Sequence, residues 1–228
     1  MPSILLQLGC RRIRPSAVNK LQYLNLPEQT RKMRLPYVAN PPPPSTNPEE
    51  DAIVSRIQAR RAPRPLQPLD LALLHSPPVA DGWNSFLGAV RTRTLISADL
   101  REIAISRVAV VNRAWYEWAH HAPLAVAGGV SREGMEAIKT EEPLVLGQTE
   151  KPAELTEQQW VVACYTDEMT RNVQVRDETF AELKRVMGGG DREVVEVTAT
   201  VACYNCVSRF LVALDVGERN GTGPDATH

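Results

Sequence analysis

From residue 51 to residue 216 the apolar residues recur every three or four positions, and no stretch alternates with the two-residue period of a sheet. That regularity restricts the chain to helices packed on helices. Trp83, Phe86, Leu87 and Val90 fall on one helical face. Leu100, Ile103, Ala104, Val108 and Val111 form a longer stripe, which Ser97 is placed to cap. A further helix runs from Trp115 to Ala127 and ends at Gly128-Gly129, and Ser131 opens a short one through Ile138. The β-branched cluster Val194, Val195 and Val197 sits inside a helical pattern. The expected fold is all-α, a compact helical bundle with no sheet.

The flanking signals divide the chain into an arm over residues 1–50, a helical domain over 51–216 and a tail over 217–228. Pro41 to Pro44 lack amide donors and favour an extended linker or surface-hugging arm. Residues 51–61 predict a polar, arginine-rich helix with Ile53 and Ile57 four apart, and 69–74 a short apolar one that Pro77-Pro78 should stop. Pro123 should kink the helix around it. Thr156 and Gln159 spell a capping box. Asp177 can cap a helix running to the glycines at 188–190, and Asp191 opens a long helix to about Val216. The last dozen residues are small and polar and should fray.

Charge excludes little but points away from polyanions. With 26 basic and 27 acidic residues the formal net charge is −1, so no nucleic-acid partner is expected. The apolar runs are shorter than the ~20 residues that cross a bilayer, so a soluble chain with no membrane partner is expected. Cys10, Cys164, Cys203 and Cys206 are sparse and read as reduced thiols of an intracellular, cytoplasmic protein. Before Glu28 there is no acidic residue, whereas Arg11, Arg12, Arg14 and Lys20 are present. This resembles a mitochondrial presequence, but the favoured reading is translation begun upstream of a native start at Met33.

The chemically informative stretch is Trp115-Tyr-Glu-Trp-Ala-His-His-Ala-Pro-Leu-Ala125. Glu117 and His121 are four apart and share a helical face. A carboxylate beside an imidazole holds the ring and raises its basicity. Trp118 is placed to exclude water, and Arg107 to bind an anion if its helix lies alongside. The same spacing also serves surface pairs worth only ~0.2–0.5 kcal/mol. His120 points roughly 100° away on the wheel and is expected to be exposed or interfacial. Cys203 and Cys206 have the spacing of a redox pair, but they fall mid-helix, and Phe210 stands where a relay histidine would follow. They read as small core thiols. No second Cys or His pair completes a zinc site, so no metal is expected.

Residues 99–138 resemble the core motif of the carboxymuconolactone decarboxylase-like family, in Glu117, Trp118, His121, Ala125, Gly129 and Ser131. Residues 191–214, with Tyr204, Asn205 and Arg209, resemble the closing helix of its longer fungal-type members. The likeness spans roughly Pro65 to Val216. It implies a helical fold of the alkyl hydroperoxidase D type, assembled as trimers or hexamers with the pocket near subunit contacts. It implies a cofactor-independent decarboxylase or related acid/base lyase acting on a small carboxylated lactone or β-keto-type acid. His121 would be the acid/base and Glu117 its orienting partner. Arg107, Trp118, Tyr204, Asn205 and Arg209 would bind substrate. The hydroperoxidase branch uses a Cys-x-x-Cys-x-x-x-His motif instead, and its two cysteine positions are Ala114 and Glu117 here. The alternatives are a thiol peroxidase using Cys203 and Cys206, and a non-catalytic binding or assembly protein, marked by an empty or plugged pocket.

Overall fold

The computed structural model describes residues 32–226. Cys10, the four basic residues of the proposed presequence and the last two residues lie outside that range. Nine helices follow in order: α1 Pro48–Arg61, α2 Pro68–Leu73, α3 Pro77–Thr92, α4 Ala98–Val111, α5 Trp115–Ala127, α6 Arg132–Ile138, α7 Glu157–Asn172, α8 Asp177–Val186 and α9 Asp191–Leu214. A 3₁₀ turn, Val216–Glu218, closes the series. Among the described residues there is no strand, as the periodicity requires.

The central element is α4, which packs against α5, α7 and α9. Every residue from Ile103 to Val110 is buried, so this helix has no polar face to give to water. Burying each Val or Ile there contributes ~1.5–3 kcal/mol. The tight turn at Asn112–Ala114, with Arg113 at a φ of 53°, reverses the chain and lays α5 back along α4. Residue 102 thereby comes beside residue 121. Gly129, at a φ of 112°, ends the α5 turn in a conformation open to glycine.

Several boundaries differ from the sequence reading. Pro77-Pro78 starts α3 rather than stopping α2, because a proline in the first helical turn sacrifices no intrahelical hydrogen bond. Asn47 caps α1, accepting from the Glu49 amide, which moves its start to Pro48. Asp177 is the first residue of α8, not its cap. Asp215, in the left-handed conformation, ends α9 before Val216. Residues 115–127 stay one helical element through Pro123.

The arm and the tail are tied down where they are described. The Met33 amide and the Tyr37 hydroxyl both donate to Glu218, and the Gly217 amide donates to Tyr37. Met33 lies in the main core, and Lys139 holds Asp225 at 2.7 Å. One helix, α9, is long and apolar enough by composition to cross a membrane, which the short apolar runs did not suggest. Its apolar side chains, Val194, Val197, Val201 and Leu211 among them, lie in the main core.

A second, smaller core joins α1, α2 and α3 through Ile57, Leu66, Leu73, Leu74 and Ala80. It fixes the α1–α2 segment beside α3 and α5, and a cavity remains between the two cores.

Candidate active site

That cavity measures about 190 Å³. One face of α5 supplies Tyr116, Glu117, His120, His121 and Leu124. From α9 come Tyr204, Val207 and Leu211, and from α3 Trp83, Leu87 and Arg91. These sets recur at three- and four-residue steps, as residues on one side of a helix must. Arg60, Arg61, Arg64 and Asp70 close the mouth.

The spacing rule places Glu117 and His121 in the same cavity, as expected. Their relation differs from the expectation. The Nδ1 of His121 lies 2.6 Å from Oε2 of Glu102, so α4, not α5, supplies the carboxylate that holds the ring. Burial pushes the Glu102 carboxyl up. The hydrogen bond and charge of His121, with Arg101 and Arg91, outweigh that and hold it below the usual glutamate range. An ionised acceptor at Nδ1 assigns the ring proton there and leaves Nε2 with the lone pair. Burial lowers the pKa of His121 despite Glu102, so the resting ring is neutral near pH 7.

Glu117 is in the opposite electrostatic condition. It is 2 % exposed, and neither carboxyl oxygen has a hydrogen-bond partner. Desolvation pushes its pKa well above the usual 4.5. Neither oxygen is bonded to His121, and burial favours the protonated acid, so Glu102 and not Glu117 holds the ring. Tyr204 completes the centre. Its ring meets His121 edge-on at 5.0 Å, its buried hydroxyl has no partner, and burial raises its pKa. Such unsatisfied groups cost ~1–3 kcal/mol each, so their clustering in one cavity calls for a functional reason.

Other sequence candidates lie elsewhere. Arg107 does not reach the cavity. Its guanidinium donates to Asp167 twice and to the carbonyls of Ile138, Thr140 and Glu142, which uses all five of its N–H groups. It is a fully satisfied structural ion pair and has nothing left for a substrate. Trp118 lies 100° round the wheel from Glu117 and borders a different, outer groove with Ala122 and Pro123. Asn205 bonds Thr170, Val201 and Asn112, and Arg209 folds back onto Asn205; neither lines the cavity. Cys203 is buried with its thiol pushed up to about 12, chiefly by desolvation, whereas Cys206 is exposed. His120 lines the cavity and stacks on Tyr116 at 4.3 Å. Its Nδ1 lies 2.7 Å from the Tyr116 carbonyl.

Sequence reasoning missed Glu102 and the four arginines at 60, 61, 64 and 91. For Glu102 a signal existed: a carboxylate set directly before the apolar run that opens at Ile103, on a helix whose apolar stripe marks it as central. Arg60 and Arg61 read only as part of a polar, arginine-rich helix, and Arg64 and Arg91 carry no sequence signal of their own.

Residues 77–167 match the model of the carboxymuconolactone decarboxylase family. The match holds Arg91, Glu102, Glu117 and His121, and it leaves out α1, α2 and α9. No curated protein matches the chain significantly. Among solved structures the fold resembles an uncharacterized peroxidase-related protein from Silicibacter sp. TM1040. That comparison gives a TM-score of 0.62 and 16% identity, over 85% of this chain and 98% of that one. It also resembles an alkylhydroperoxidase AhpD core, an uncharacterized peroxidase-related protein from Ralstonia eutropha JMP134. There the TM-score is 0.62 and the identity 15%, over 86% and 98% of the two chains. The fold is therefore of the AhpD-core type.

Proposed function

We propose that this chain, whose residues 77–167 match the carboxymuconolactone decarboxylase family, is an acid/base lyase that decarboxylates a small carboxylated lactone or β-keto-type acid without a cofactor. The observation that carries this reading is that one cavity holds Glu117, buried with neither oxygen partnered and so biased towards its protonated form, and His121, whose Nδ1 lies 2.6 Å from Glu102. In such a substrate the bond to the carboxylate breaks, CO₂ leaves, and the electron pair moves into the conjugated carbonyl as an enolate. Glu117 delivers the proton that quenches the new carbanion. His121 collects a proton from solvent, its imidazolium stabilised by Glu102, and restores Glu117. A neutral Glu117 also spares the incoming anion the repulsion that an ionised carboxylate would exert. The same groups would support isomerisation next to a carbonyl.

A positioned acid/base is worth about 10²- to 10⁴-fold in rate. Turnover of a panel of aromatic-derived lactones and β-keto acids should therefore fall by about that factor in His121→Ala, with the helical circular dichroism unchanged. Undiminished turnover in that variant removes His121 from the mechanism. By resemblance, the chain would assemble as a trimer or hexamer, which light scattering would detect; a monomer would oppose it.

The peroxidase reading is favoured by one observation, that both similar structures are of peroxidase-related proteins. Against it stands the buried Cys203 thiol, held far from the thiolate form that attacks peroxide. Unchanged peroxide consumption by a Cys203→Ser/Cys206→Ser variant would end it. A binding or assembly role would be marked by an empty or plugged pocket; about 190 Å³ stands beside His121, so the pocket is not plugged.

A further inference from the structure

The mouth of the cavity carries more positive charge than the protein neutralises. Arg60, Arg61, Arg64 and Arg91 all line it, against two lining carboxyl groups, Asp70 and the buried Glu117, with Glu102 behind His121. Arg61 takes most of Asp70, with Nη2 to Oδ1 at 2.9 Å and Nε 2.7 Å from Oδ2. Arg60 reaches the same carboxylate only at 3.6 Å. Among the described residues Arg64 and Arg91 have no ion-pair partner, although both face the cavity. Burial first, and then the charges of Arg61 and Arg91, disfavour the charged form of Arg60, a mark of crowded guanidinium groups. The charge of Arg91 is felt by His121, Glu102 and Tyr204 as well as by Arg60, which sets it between the His121 centre and the outer arginines. Arg60 and Arg64 stand at the outer end, on the segment that runs from α1 into α2. That segment lies outside residues 77–167, the part that matches the family.

We propose that Arg60 and Arg64 form a distal anion subsite that makes the enzyme selective for a small organic dianion, one anionic group lying at Arg91 beside His121 and Tyr204 and the second at Arg60 and Arg64. This rests on the reading of the cavity as the active site. Three features point the same way. Guanidinium groups recognise carboxylates through paired N–H donors. The excess of cations over anions at the mouth is stabilised when an anion enters. The unpartnered polar groups of Glu117 and Tyr204 lie in the same space, which makes the cavity a ligand site and not only a charged surface. A volume of about 190 Å³ is below the ~300–1,000 Å³ of pockets for drug-sized ligands, so the dianion is compact. Arg60 and Arg64 are specificity-determining residues here and take no part in proton transfer.

Binding calorimetry at fixed ionic strength tests this with two inert probe series of equal chain length. The dianions are glutarate, adipate and pimelate, and the monoanions are valerate, hexanoate and heptanoate. The flexible chains sample a range of charge separations. In the wild-type protein the best dianion should bind about tenfold or more tightly than its matched monoanion, a difference of about 1.4 kcal/mol. In Arg60→Gln/Arg64→Gln that ratio should fall towards one while the monoanion affinity stays. Both side chains are on the surface, so the fold should survive. A charge-reversed Arg64→Glu should bind the dianion more weakly still. An equal ratio in wild type and double variant, or no dianion preference in the wild type, overturns the subsite. His121→Ala separates the two readings. If it loses turnover but keeps the dianion preference, both stand; if it keeps both, the acid/base reading falls and the subsite survives.

Discussion

Arg107 and Glu117 are both buried ionisable residues on adjoining helices, and they have had opposite treatment. Arg107 finds an acceptor for every donor, with Asp167 as counter-ion, and Asp167 is held in turn by Arg171 at 2.8 Å. Glu117 finds none for either oxygen. A buried charge with a full set of partners is part of the scaffold. A buried acid with no partner in an open cavity has been left for something that enters. Sequence inspection singled out both residues as functional, and only the satisfaction of their hydrogen bonds tells them apart.

The contrast can be broken at either end. The largest effect should come from Arg107→Ala, which leaves the buried Asp167 with Arg171 as its remaining cation and strands three carbonyl oxygens in the interior. A loss of about 3–5 kcal/mol in urea unfolding is expected. A loss below ~1 kcal/mol would mean that Arg107 is not part of the scaffold. Next comes Glu102→Gln, which keeps a partner at Nδ1 but removes the charge that stabilises the imidazolium. Hydrogen bonds to charged groups are worth ~1.5–3 kcal/mol, so turnover should fall about 10- to 100-fold with the unfolding midpoint little changed.

Glu117→Gln should act in the other direction, on stability, and with pH. Burial raises the folded-state pKa above 4.5. Above pH 4.5, and up to the folded pKa, the native protein therefore retains a proton that the unfolded chain has released. Stability falls by about 1.4 kcal/mol per pH unit in that window. The glutamine variant escapes this cost. It should match the wild type near pH 4 and exceed it increasingly as the pH rises towards neutrality. A pH-independent difference between the two unfolding curves would contradict it. The smallest effect should be that of Trp118→Phe, buried in the main core and away from the cavity, which should leave turnover within about twofold because an aromatic filler is kept.

The fold was largely legible, for physical reasons. Caps, glycine stops and three-and-four periodicity are local signals, and Thr156, Ser131 and Gly129 did what their chemistry dictates. The prolines at 77 and 78 misled because the same ring that stops one helix starts another. The site was legible only within one helix. Glu117 and His121 share a face because four residues separate them, and sequence spacing carries that information. The 19 residues between Glu102 and His121, and the 60 between Arg107 and Asp167, carry none. Which carboxylate meets which base is decided by how α4 turns back on α5 and packs on α7. The α1 arginines were hidden for the same reason, since a basic helix reads as solvated until a cavity appears beneath it.

The central claim is that Glu117 is a protonated acid in the folded protein at neutral pH. Infrared difference spectroscopy of the wild type and Glu117→Gln measures this directly. The account predicts a protonated-carboxyl band at pH 7 in the wild type that shifts in deuterium oxide and is absent from the variant. A wild-type spectrum with only ionised carboxylate bands at that pH would contradict it.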